Sequence, residues 1–172
     1  MHHSKEQLAE CPSNSIAHLT MLVQHHHEAI PFENRAACLV FSVDPAHADT
    51  SIGERVSLHT AKIFKKLVLD RRGGWCFEQN ALFTTRLRAL GYAVETICGD
   101  VVTPAMEVAH GKYLDKAMTH MLLLVTTNTS DQFLWDVGFG GRGESPIPIP
   151  VPPSAHQPST CQEDDVGLWG IL

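Results

Sequence analysis

"RRGGWCFEQN", Arg71 to Asn80, sets one cysteine between a double glycine and residues that read as the first turn of a helix. Gly73 and Gly74 allow a tight backbone turn with unusual dihedrals. Upstream, "SLHTAKIFKKLVLD" reads as a helix that the double glycine stops, with Ser57 as its cap and Leu58, Ala61, Phe64 and Val68 as one apolar face. Downstream, Cys76, Asn80, Phe83, Leu87 and Leu90 recur at three-to-four spacing, and Gly91 is a natural C-terminal cap. Cys76 therefore falls at a helix N-terminus, where unengaged N–H groups and the macrodipole favour an anion. A cysteine that merely fills a core does not need this setting; a thiolate nucleophile benefits from it.

Outward from this stretch the pattern divides the chain in two. On the N-terminal side, Ser13 or Asn14 would cap a first helix, in which Ile16, Leu19 and Val23 recur at helical spacing. "EAIPFENR" ends that helix, because the residue before Pro31 is pushed out of the α region. Residues 42 to 53 carry Pro, Gly, Asp and Ser and read as loop. Beyond Gly91, "YAVETICGDVV" is rich in β-branched residues, and "HMLLLVTT" and "QFLWDVGFG" are strand-like runs separated by the turn-forming "NTSD". Helices first and strands after is an α+β order. The expected units are a helical one over 1–91 and a strand one over 92–150. Residues 151–172, in a run rich in Pro, Ser and acidic residues, form a tail expected to be extended or disordered at least in part.

The 172 residues suffice for one generous domain or two small ones, and an apolar fraction of 44% supports a packed core. The net charge is −6, and no basic stretch exceeds Arg71-Arg72 or Lys65-Lys66, which argues against a nucleic-acid or anionic-membrane footprint. No apolar run approaches about 18 residues, and the polar N-terminus has no signal-peptide core. A cytoplasmic protein is the expectation. The five cysteines, Cys11, Cys38, Cys76, Cys98 and Cys161, are odd in number, widely spaced and free of CxxC. That pattern points to free thiols, not to a disulfide framework or a zinc site, and no metal is expected.

A thiolate nucleophile needs a base, and the base needs a group that holds its tautomer. Among eleven histidines, His25, His26 and His27 are consecutive on a helix. They point about 100° apart and cannot converge on one metal, so a solvated or half-buried face is their expected place. His120 opens one strand, and Asp136 closes the next, before a "GFGG" turn. If the two strands form a hairpin, the start of one lies beside the end of the other. Cys76 on a helix start, with His120 and Asp136 on an adjacent sheet, is a cysteine-protease-like constellation. A strand-edge histidine and a turn-forming aspartate are the plainer explanations of the same residues.

At this point the sequence resembles the arylamine N-acetyltransferases. "RGGWCFEQN" looks like the family's active-site motif, "AIPFEN" (Ala29 to Asn34) is similar to a second, and Thr119-His120 and "DVGFGG" (Asp136 to Gly141) match a third and fourth, all in the family's order. The resemblance covers roughly residues 18 to 150. It implies a helical bundle followed by a β-barrel-like antiparallel sheet, with Cys76 as nucleophile, His120 as base and Asp136 as orienter. It implies ping-pong acetyl transfer from acetyl-CoA, through an acetyl-cysteine, to a small aromatic amine or hydrazine, and hence a place in xenobiotic metabolism. It puts Trp75, Val101, Thr119 and Phe139 at the acceptor, and Lys116, Ala117 and Gly138 at CoA. Arg72 would pair with Glu78 or with Glu33 to brace the loop around Cys76.

Family members are longer and resemble a three-domain design closed by an α/β lid. The end at Leu172 implies that the lid and part of the barrel are missing, leaving exposed strand edges. Three other functions fit the same residues. One is a hydrolase or transglutaminase-like cysteine enzyme, and another an amide synthase sharing the motifs. The third is an inactive homologue that binds a partner through an open edge.

Overall fold

The computed structural model describes residues 12–34, 57–99, 101, 120–140 and 148–152. Helix α1 spans Ile16–Ala29. Its cap is Ser15, not Ser13 or Asn14: Ser15 is extended, and its Oγ accepts from His18 N at 3.2 Å. Asn14 sits at φ 62° and is spent elsewhere, its Nδ2 donating to Gly91 O at 2.8 Å while its own carbonyl accepts from Asn128 N. The helix buries Leu19, Leu22 and Val23, whereas Ile16 lies at the surface.

Helix α2, Thr60–Phe64, is capped by His59 and runs straight into a π-helical stretch, Lys65–Leu69, which Asp70 N closes onto Lys65 O. Its buried side chains are Ile63 and Leu67, while Phe64 and Val68 are exposed. The face expected from sequence is therefore the wrong one of two apolar faces. Ile63 and Leu67 pack on Leu82, with Ile30, Leu58 and Ala81 around them.

Helix α3, Cys76–Ala89, starts and stops where the sequence predicts. At its end Gly91, at φ 87°, donates to Arg88 O, and Tyr92 N donates to Leu87 O. This is the paired-bond geometry of a Schellman cap.

The strands β1 (Ala93–Gly99), β2 (His120–Thr126), β3 (Gln132–Trp135) and β4 (Ile149–Val151) form one antiparallel meander in that order. The β2–β3 connection is the expected turn, with Thr127 N donating to Asp131 O and Ser130 at φ 66°. Among the described residues the sheet is open, with β1 and β4 at its edges, and does not close into a barrel. β4 lies in the proline-rich run: Pro150 has no N–H to give, and an edge strand tolerates that.

Leu19, Leu22 and Val23 of α1, Phe83 and Leu87 of α3, and Tyr92, Val94, Leu123, Val125, Trp135 and Val137 form one core. Each such burial contributes roughly 2 kcal/mol. Because that core joins α1 and α3 to the sheet, the start of α3 is held against the beginning of β2. Two expectations change here. Cys98 on β1 is disulfide-bonded, so it is not a free thiol. His26 is buried, not half-exposed. Among the described residues no helix is long and apolar enough to cross a membrane.

Candidate active site

The loop before α3 owes its glycines to close packing. Neither Gly73 nor Gly74 has a positive φ; that strain falls on Arg71, at 51°. A Cβ on Gly73 would lie 2.5 Å from Pro31 O and 2.6 Å from Glu33 Cβ, because the strand-like pair Phe32 and Gly74 bridges here in parallel. Glu33 N donates to Gly74 O at 2.8 Å, and Gly74 N to Pro31 O at 3.2 Å. The sequence motifs around Pro31 and around Gly74 are thus two sides of one backbone bridge.

Gln79 locks the bridge to the helices. Its Nε2 donates to Pro31 O at 3.0 Å and to Gly74 O at 3.4 Å, which turns its Oε1 to His26 Nε2 at 2.7 Å. His26 must then carry its proton on Nε2. Burial is the main cause that lowers it from 6.5 to about 4, with His27 and Arg86 adding to the fall and the Gln79 bond opposing it. The ring is neutral near pH 7 and meets Phe83 edge-on.

Glu78, buried in the first turn of α3, accepts from Trp75 N at 3.2 Å, half of a capping box. It does not pair with Arg72. Its two oxygens take Lys66 Nζ at 2.8 and 2.6 Å, both side chains being largely out of water. The π-helical stretch carries Lys66 to this position.

Cys76, the first residue of α3, is 7% exposed and packs with Phe77 and Met121, beside Leu58 and Trp75. His120, the first residue of β2, is buried and hydrogen-bonds to the Cys76 side chain. Its Nε2 meets Asp136 Oδ2 at 2.5 Å, so Nδ1 is the nitrogen left for the thiol. Asp136 follows directly on β3. Continued past Trp135, the register sets Leu122 opposite Asp136 and Gly138 opposite His120. The histidine and the carboxylate are diagonal neighbours, two residues out of register, and still within reach of each other.

Burial alone would lower the His120 imidazole. The hydrogen bonds to Asp136 and Cys76, and the charges of both, overcome it and raise the group from 6.5 to about 9. The ring is an imidazolium at neutral pH. Such a group can hold an anionic sulfur, carry a proton and hand it over.

Asn80 is the residue that sequence reasoning passed over. It is fully buried; its Nδ2 donates to Met121 O at 2.8 Å and to Asp136 Oδ1 at 2.9 Å, and its Oδ1 accepts from Val137 N at 3.2 Å. One amide on the nucleophile's helix therefore grips the residues next to His120 and Asp136. The available signal was a polar side chain in line with Phe83 and Leu87. Gly138 completes the clamp: its N donates to Asp136 Oδ1 at 2.8 Å, and a Cβ there would lie 2.7 Å from Cys76 Cα and 2.9 Å from Gln79 Cβ.

Of the other residues read from the sequence, Phe139 is 40% exposed and stands edge-on to His120, with centroids 5.2 Å apart. Trp75 stacks at a tilt on Phe77. Val101 lies at the surface beyond the end of β1. Lys116, Ala117 and Thr119 lie outside the described residues.

The sequence model of an N-acetyltransferase family matches residues 15–164. The chain is similar to the arylamine N-acetyltransferase of Mycolicibacterium smegmatis, 35% identical over 152 residues, which are 86% of this chain and 50% of that protein. It is also similar to the pineal gland isozyme NAT-3 of Gallus gallus, 32% identical over 142 residues, 83% of this chain and 42% of the isozyme. Among solved structures, it superposes on Mycobacterium marinum arylamine N-acetyltransferase in complex with CoA with a TM-score of 0.64 at 30% identity, covering 90% of this chain and 51% of the other. The chain spans about half the length of these relatives, or less.

Proposed function

The chain belongs to the arylamine N-acetyltransferase family, and from that premise we propose that it moves an acetyl group from acetyl-CoA to an aromatic amine or hydrazine through an acetyl-Cys76 thioester. The observation that carries this reading is the run of hydrogen bonds from Cys76 through His120 to Asp136 at the start of α3.

Cys76 Sγ, as thiolate, attacks the carbonyl carbon of the thioester, and the carbonyl electrons move to oxygen. A helix start favours that negative charge, and the Cys76 backbone N–H is a candidate donor to the oxyanion. Collapse breaks the bond to the CoA sulfur, and the imidazolium of His120 supplies the proton with which CoA leaves as thiol. The amine then attacks acetyl-Cys76. Its proton passes to the now neutral His120, Cys76 returns as thiolate, and the acetamide departs. Asp136, held by Asn80 and Gly138, keeps the ring turned toward sulfur throughout.

Phe139 and Trp75 would border the acceptor, with Val101 and Thr119 contributing, and Lys116 and Ala117 would meet CoA. Gly138 would act through its close approach to Cys76.

Intact-protein mass spectrometry after brief exposure to acetyl-CoA without amine, followed by peptide mapping, tests the reading. One acetyl group on Cys76, absent in Cys76→Ala, is expected. No adduct, or an adduct on another residue, would overturn it.

A further inference from the structure

The mechanism above leaves one buried charge unexplained. Glu78 places a carboxylate in the same first turn of α3 that must favour an anion on Cys76. Left bare, that carboxylate would set a like charge against the thiolate across the first turn of the helix, out of water where such a charge is poorly screened. The carboxylate has a job of its own, since it accepts Trp75 N–H and so fixes the loop that leads into the nucleophile. Lys66 meets both of its oxygens, with 13% of the lysine side chain and 3% of the glutamate side chain exposed.

Lys66 reaches Glu78 from an unusual backbone. The stretch Lys65–Leu69 is π-helical, and its carbonyls are closed by donors farther along the chain than the fourth residue of an α-helix, Asp70 N onto Lys65 O and Arg72 N onto Lys66 O. A π turn inside a helix is uncommon and frequently sits at a functional position. Here it lets Leu67 enter the core beside Ile63 while its neighbour Lys66 turns to Glu78.

We propose that Lys66 and Glu78 are a positioning pair for acetyl transfer: Glu78 braces the loop before Cys76, and Lys66 cancels the charge that the brace would otherwise set against the thiolate. The inference rests on Cys76 being the acetylated nucleophile. Among the described residues, the charged and titratable groups on the elements packed around Cys76 include His120 of β2, Asp136 after β3, Glu78 of α3, Lys66 of the π turn, Glu33 of the backbone bridge and the neutral His26 of α1; the same elements also carry Arg71 and Arg72 before α3, Lys65 on the π turn, Arg86 and Arg88 in the last turn of α3, and His18, His25, His27 and Glu28 on α1.

The test is the rate of Cys76 alkylation by iodoacetamide at pH 7, in the full chain, with the labelled residue identified by peptide mapping. Sulfur displaces iodide in this reaction and no acetyl-CoA is needed. Lys66→Met should slow alkylation by about tenfold or more. Lys66→Arg should stay within about threefold of the parent, because a guanidinium also meets a carboxylate bidentately. Lys66→Met combined with Glu78→Gln should recover to within about threefold, since a glutamine can still accept Trp75 N–H without bringing charge. A parent rate in Lys66→Met, or a double variant as slow as Lys66→Met, would overturn the proposal. Should Lys66→Met fail to fold, the neutral double variant decides alone: parent-like alkylation supports the pair, and slow alkylation refutes it. A parent chain that alkylates no faster than a free cysteine peptide would instead count against Cys76 as the nucleophile.

Discussion

Acidification should destabilise this protein through a histidine that takes no part in the chemistry. His26 is 3% exposed and donates its one proton to Gln79, whose amide is committed to the carbonyls behind Cys76. Its folded value is about 4 against an ordinary 6.5. The unfolded chain therefore binds this proton first, and stability falls as the pH drops below 6.5, levelling off below 4. The full loss is about 3.4 kcal/mol, of which about 2 kcal/mol is gone between pH 7 and pH 5. His120 does not contribute in this window. Its value is raised to about 9, so its stabilisation is fully present below 6.5 and is lost only as the pH climbs through 9. His18, lowered by burial and by Arg86, pulls in the same direction as His26 and must be held constant. The comparison is thus between the parent and His26→Gln, which keeps an amide donor near Gln79. Urea denaturation at pH 7 and pH 5, on both proteins, gives the two differences. The variant should lose about 2 kcal/mol less than the parent over that interval. Equal losses, within about 0.5 kcal/mol, would show that His26 is not held neutral and that the reasoning fails.

Two further substitutions test the clamp around the site. Gly138→Ala should destabilise by about 1–3 kcal/mol, because the new Cβ meets the backbone of Cys76, which cannot move aside; thermal melts would show it, and the acetyl-Cys76 yield should fall with it. Asn80→Ala should cost about 2–4 kcal/mol by stranding Val137 N–H and Met121 C=O out of water. A stability unchanged in denaturant titration would mean that water or a rearranged loop satisfies those groups.

The elements that can be read from the chain are those specified by neighbours in sequence. Helix α3 begins after a glycine pair and ends on Gly91, whose positive φ and paired hydrogen bonds need only the adjacent residues. The turn between β2 and β3 is likewise local. What escapes is whatever a distant partner decides. Gly73 and Gly74 are glycines because Pro31 and Glu33 lie against them, and nothing in their neighbours distinguishes that from a tight turn. Either face of "TAKIFKKLVL" is apolar enough to be buried, and Leu82 across the packing selects Ile63 and Leu67. Ser15 caps α1 because Asn14 is drawn to Gly91, a residue 77 positions away. β4 hides in a proline run because pairing with β3, not its own composition, makes it a strand.

The same division runs through the site. Cys76, His120 and Asp136 stand out because each occupies a recognisable place, at a helix start, a strand start and a strand end, and a hairpin brings the last two together even at a diagonal. Their supports carry no such mark. Asn80 and Gln79 look like ordinary polar residues on a helix; only the fold shows that each is fully buried with its amide fully used. Lys66 looks like a solvated lysine until the π turn carries it to Glu78. A reacting group is chosen for a chemistry that few residue types can perform, so its type and local setting announce it. A supporting group is chosen for geometry, which many types can supply and which exists only after the chain has folded. The variants at Asn80, Lys66 and Gly138 are therefore the informative ones, because they alter the arrangement around Cys76 while leaving every reacting atom in the chain.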